Sequence, residues 1–118
     1  MKYSDMVKQL AKPGKEILNT LKPGDCHLLH MCMGAAGELG ETIDVIKKAI
    51  IYRKPLDLEK VIEEMGDVEF YLEGIRQQLG IDRQDVLNYN MDKLGARYST
   101  GGYSDKQAID RIDVPSVN

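Results

Sequence analysis

Apolar residues recur along this chain at steps of three and four, the period of a helix seen from one side. Between residues 58 and 79, Val61, Met65, Val68, Leu72, Ile75 and Leu79 form one such stripe. Between residues 26 and 52, Leu28, Cys32, Ala35, Leu39, Ile46 and Ile50 form another. Two long helices are therefore predicted, at 26–52 and 58–79. Pro13 and Gly14 stop a short amphipathic segment at 3–12, and a second short segment, 15–21, ends before Pro23 and Gly24. Asp25 is placed to cap the first long helix, and Asp57, after the Arg53-Lys54-Pro55 break, to cap the second. Gly80 suits a helix C-terminus, Asp82 a cap for a helix at 83–98, and Ser104 a cap for a last one through Arg111. Residues 113–118 read as a loose tail. The expectation is an all-α helical bundle with two long antiparallel helices. It forms a single domain, 1–118, with its core at about 24–111 and a flexible C-terminal tail.

Each long helix carries one acidic pair at i, i+3: Glu38–Glu41 and Glu64–Asp67. That spacing puts both carboxylates of a pair on one face, a turn apart. Both pairs lie beside the predicted apolar stripe, not opposite it. Two such helices side by side would concentrate four negative charges in a small volume. A hard divalent cation with oxygen ligands is the natural compensation. Mg²⁺ held by carboxylates points in turn to a phosphate-bearing substrate. The first helix also carries Gly34, Gly37 and Gly40, each costing about 1 kcal/mol relative to alanine in a helix interior. Such a row either packs tightly on another helix or leaves room beside the carboxylates.

Composition narrows the choice of function. The chain has 118 residues, 42% hydrophobic and 30% charged, which suits one folded domain and excludes a disordered tract. Its net charge of −3, without a dense Lys/Arg block, disfavours a nucleic-acid polymer as partner. No apolar run approaches a membrane span, and the polar start MKYSDMVKQL lacks the apolar region of a signal peptide. Cys26 and Cys32 match neither a zinc nor a CxxC pattern and fit reduced thiols in the cytoplasm. Di-iron carboxylate bundles want ExxH pairs, which neither acidic pair supplies.

The motifs Gly34-Ala-Ala-Gly-Glu-Leu-Gly-Glu41, Ile46-Lys-Lys48, Glu63-Glu-Met-Gly-Asp-Val68 and Leu79-Gly-Ile81 follow in order. After them come Asn90-Met-Asp-Lys-Leu94, Arg97-Tyr98, the Gly101-Gly-Tyr-Ser104 loop, Ala108 and Arg111. Taken together over residues 28–111 they resemble the MazG-like all-α nucleoside triphosphate pyrophosphohydrolases, in particular the small phage-like members. The resemblance implies Mg²⁺-dependent hydrolysis of (deoxy)nucleoside triphosphates between the α and β phosphates, with Mn²⁺ as a substitute ion. It implies Glu38, Glu41, Glu64 and Asp67 as metal ligands. It also implies a water that attacks the α-phosphorus in line, with Glu41, and next Glu38, as the carboxylate that positions it. Asn90 and Lys93 match positions that meet phosphate or sugar, and Arg97 and Tyr98 fall in the adjoining part of the motif. Lys48 lies on the flank of Glu41, two turns on, and reads either as a phosphate contact or as a solvated lysine. Tyr71 reads either as a packed aromatic or as a base-stacking one. The family's small members imply a homo-oligomer, dimer or tetramer, in the cytoplasm, or in the host's cytoplasm if phage-encoded. Two other readings fit the scaffold: a non-catalytic helical binding module, and a hydrolase of another pyrophosphate-containing metabolite.

Overall fold

A computed structural model describes residues 1–113. It contains six helices: α1 (Tyr3–Leu10), α2 (Gly14–Thr20), α3 (Pro23–Ile51), α4 (Leu58–Leu79), α5 (Arg83–Arg97) and α6 (Asp105–Asp110). Among the described residues there is no strand, so the fold is all-α as expected. None of these helices is long and apolar enough to cross a membrane. The chain divides after Gln78 into two compact units.

In the first unit α3 and α4 form an antiparallel hairpin. Gly24 of α3 meets Gln78 of α4, Met31 meets Gly74, and Gly34 meets Tyr71. The helix ends follow from local chemistry. α3 starts three residues earlier than expected, because proline at a first helical position gives up only an N–H that has no intrahelical partner anyway. Lys22, not Asp25, is the cap residue, and Asp25 reaches back to accept the Lys22 backbone N–H at 2.9 Å. At the other end Arg53 adopts a left-handed φ of 53°, and the Lys54 N–H bonds the Ala49 carbonyl at 3.0 Å. That closure ends α3 and turns the chain back. Asp57 caps α4 as expected, accepting the Lys60 N–H at 3.1 Å.

The seam between the helices keeps part of the expected stripes, with Leu28, Ala35, Ile46, Val61, Val68, Leu72 and Ile75 buried or half-buried, and departs from them elsewhere. On α3 the buried and half-buried residues include Leu28, Met31, Ala35, Glu38, Thr42, Val45 and Ala49. On α4 they include Val61, Glu64, Val68, Tyr71 and Ile75. Both sets repeat every seven residues, the seam of two helices packed nearly antiparallel. Met65, Leu79, Leu39 and Ile50, all expected inside, are more than half exposed. Leu28 and Ala35 on α3 and Val61, Val68 and Ile75 on α4 belong to either repeat, so the apolar pattern alone does not choose between them. The packed register admits Glu38, Thr42, Glu64 and Tyr71 to the seam, which an apolar template passes over. Met31 and Val61 are the buried apolar residues of the described chain, so the hairpin has a thin core.

The second unit holds α5 and α6. Asp82 occupies the cap position of α5 without a side-chain hydrogen bond. Ser104 caps α6 as expected, its Oγ accepting the Gln107 N–H at 3.2 Å. Arg97 closes a two-pronged ion pair on Asp113, Nε to Oδ1 at 2.6 Å and the terminal nitrogen to Oδ2 at 2.9 Å. Asp113 is thus held, although the sequence reads as a loose tail from this residue on; residues 114–118 of that tail lie outside the described residues.

Candidate functional site

Midway along the hairpin the seam turns from apolar to acidic. Glu38 of α3 and Glu64 and Asp67 of α4 each bring a carboxylate oxygen within 4.8 Å of the other two. Glu64 is 6% exposed, Glu38 half-buried and Asp67 exposed. The antiparallel crossing creates this meeting: residues far apart in sequence share one level of the seam. The Thr42 hydroxyl, one turn from Glu38, is satisfied by the Glu38 carbonyl at 3.1 Å and adds no ligand demand.

The electrostatics are those of crowded anions. The Glu38 carboxyl is held above its usual range, first by a hydrogen bond shared with Glu64, then by burial, then by the charges of Asp67, Glu64 and Glu41. Glu64 is held below its usual range, first by the Lys60 ammonium and then by the same bond to Glu38. Lys60 Nζ lies 3.1 Å from Glu64 and is the one cation within ion-pair distance of the three carboxylates among the described residues. Lys60 was not among the expected site residues. Its spacing of four before Glu64 was the only signal.

Glu41, the fourth expected ligand, is exposed and lies outside the three-carboxylate cluster, though its charge is felt by Glu38. Lys48 is exposed and paired with Asp44 at 2.7 Å within its own helix, which matches the solvated reading. Tyr71 is half-buried, laid over Gly34, with its ring 6.2 Å from that of His30 and 5.2 Å from that of Phe70. Gly34 is therefore a packing glycine: a methyl group there would run into the Tyr71 ring. Gly37 and Gly40 have no such neighbour and leave open space.

Beyond Tyr71, on the side away from the acids, lies a cavity of about 590 Å³ lined by His27, Met31, Phe70, Glu73, Gly74 and Arg76, among others. Helical steps of three and four connect it to the carboxylates along one edge of the hairpin: His27, Met31, Gly34 and Glu38 on α3, and Gly74, Tyr71 and Asp67 on α4.

The remaining expected residues sit on α5. Asn90, Lys93 and Arg97 share one face of that helix by their spacing. Asn90 is exposed. Lys93 lines a cleft of about 290 Å³ with Tyr89, Asp92, Ala96 and Asp113. Arg97 is committed to Asp113, whose side chain is 1% exposed. Tyr98 lies against Tyr103, ring centres 5.7 Å apart, beside a cleft floored by Gly95, Gly101 and Gly102.

The model of the MazG nucleotide pyrophosphohydrolase domain matches residues 27–101. The chain belongs to this family. The matched span begins at His27 in α3 and runs past α5, so all ten expected site residues fall inside the MazG domain and Asp113 falls outside it. No curated protein and no solved structure matches the chain. Within the MazG domain, the elements given by the geometry are an acidic triad, a lysine against it and an aromatic-edged cavity along the same edge.

Proposed function

We propose that this MazG domain is a Mg²⁺-dependent nucleoside triphosphate pyrophosphohydrolase, taking ribo- or deoxyribonucleotides and adjusting the cytoplasmic pool. The observation that carries the reading is the meeting of Glu38, Glu64 and Asp67. The donor set fits the ion: Mg²⁺ takes oxygen ligands at about 2.1 Å, so opposite ligands stand about 4.2 Å apart. Adjacent ligands stand about 3.0 Å apart, and oxygens within 4.8 Å of one another lie near that range. Mn²⁺ accepts the same donors. When bound, the ion supplies charge neutralisation of the triphosphate oxygens.

The chain's own residues do the rest. Glu41 stands one turn from Glu38, exposed and without an ion-pair partner among the described residues. It suits a carboxylate that orients a water for in-line attack at the α-phosphorus and accepts its proton; Glu38 is the next choice. Attack forms the new P–O bond and breaks the α–β anhydride, giving the monophosphate and pyrophosphate. Lys93, with Asn90 beside it on α5, supplies cationic and amide groups for phosphate or sugar. Tyr98 keeps a place in the substrate set, whereas Lys48 and Arg97 are each already engaged by a carboxylate of their own. The cavity beyond Tyr71 begins one turn from Asp67, a reach that suits the nucleoside end of the substrate.

A homo-oligomer, dimer or tetramer, belongs to the same proposal. Leu29, Met33, Leu39, Ile43 and Ile50 of α3 are each more than half exposed along one side. A monomer rarely leaves so continuous an apolar face to water. Light scattering at micromolar concentration is expected to give at least twice the protomer mass.

The deciding experiment is a panel of ribo- and deoxyribonucleoside triphosphates with Mg²⁺, scored for pyrophosphate against orthophosphate. Pyrophosphate release that disappears with chelator is expected. Orthophosphate as the product, or no turnover with any nucleotide, sinks the proposal and favours a binding module or another pyrophosphate substrate.

A further inference from the structure

Three carboxylates within 4.8 Å of one another favour a nearby counter-charge. The Lys60 ammonium, 3.1 Å from Glu64, supplies such a charge. This is no ordinary surface pair. The Glu64 side chain is 8% exposed, so the ammonium rests on a nearly buried anion. Lys60 also has a second partner: Glu63 Oε1 lies 3.4 Å away on the solvent side and takes no part in the triad. Lysine suits such a double position, being a compact charge on a flexible four-carbon stem.

We propose that Lys60 is a built-in counter-cation that a divalent ion must displace from Glu64, and that Glu63 is the seat to which it withdraws. The inference rests on the metal-centre reading above and adds a regulatory element to it. The triad is kept folded and partly neutralised when empty. The metal affinity is then the difference between two cations' claims on Glu64, not the full attraction of the triad. Glu63 shapes that difference without touching the metal.

The test titrates the full chain with Mn²⁺ alone by calorimetry, with no nucleotide present. Lys60→Met is expected to bind Mn²⁺ roughly three- to tenfold more tightly than the wild type, because a competing charge is gone. Glu63→Gln is expected to bind roughly two- to threefold more weakly, because the withdrawn lysine loses its seat. In the Lys60→Met background, Glu63→Gln should have no further effect, which separates relay through the lysine from a general loss of negative charge. Lys60→Arg keeps the charge with a wider fork of donors, so it should bind Mn²⁺ more weakly and covers the case in which Lys60→Met fails to fold. Unchanged or weaker binding in Lys60→Met, or tighter binding in Lys60→Arg, overturns the proposal. A wild type that takes up no Mn²⁺ overturns the metal centre itself, a separate result.

Discussion

Carboxylates meet two different fates in this molecule. In the second unit Asp113 receives two short hydrogen bonds from Arg97, one to each oxygen. In the hairpin three carboxylates meet, and a lysine reaches one of them, Glu64. The first arrangement satisfies its charge with geometry that a guanidinium supplies and an ammonium cannot. The second leaves negative charge in excess on a seam that would pack better without it. Charge that is fully answered serves the fold, and charge left over is a place for something to bind.

The largest expected effect comes from neutralising the excess. Glu38→Gln or Asp67→Asn should lower Mg²⁺-dependent pyrophosphate release by about a hundredfold or more. The same changes should leave the metal-free melting temperature unchanged or higher, because like charges no longer crowd the seam. A loss of both activity and metal-free stability would mean that these acids hold the hairpin together. Asp113→Asn is the opposite case. It should lower the melting temperature, since Arg97 loses its charged partner, while turnover by the protein that remains folded stays near wild type. Calorimetry with an active-site-normalised assay separates the two.

A pH series sharpens the contrast, because the two carboxyls are shifted in opposite directions. Asp113 lies below its ordinary value, chiefly through Arg97, so its stabilisation is present above about pH 4 and is lost as pH falls through its folded value. Glu38 lies above its ordinary value, so metal-free stability falls as pH rises from about 4.5 through the raised value. Glu38→Gln should flatten the descending limb. Asp113→Asn should weaken the ascending limb without removing it, since Glu64 is also held low. Identical profiles for both variants would erase the distinction. The smallest effect serves as a control away from either site. Arg53→Gly relieves a left-handed backbone in the turn and should stabilise by about 1 kcal/mol, read by urea denaturation, with no change in activity.

Much of the fold was legible because its punctuation is local. Asp57, Gly80 and Ser104 act where their chemistry predicts, and the helix bounds fall within a few residues of expectation. The seam register was not legible. Two repeats share Leu28, Ala35, Val61, Val68 and Ile75, and the packed one also runs through residues that hydrophobicity does not mark. That error had a useful side: Glu38 and Glu64 lie within the seam, deeper than the flank positions assigned from the stripe. The pairing of Arg97 with Asp113 joins residues sixteen apart across α6 and its flanking turns, with no periodic signal to announce it. Lys60 went unnoticed because a lysine four before a glutamate is common on any helix surface.

The row of three glycines on α3 divides in a way that bears on how the site could be re-cut. Gly34 is a floor, and the Tyr71 ring stands on it. Gly37 and Gly40 face open space and support nothing. Side chains could be grown there one carbon at a time without disturbing the hairpin. The two positions are free ground on a helix whose third glycine is spoken for by an aromatic ring.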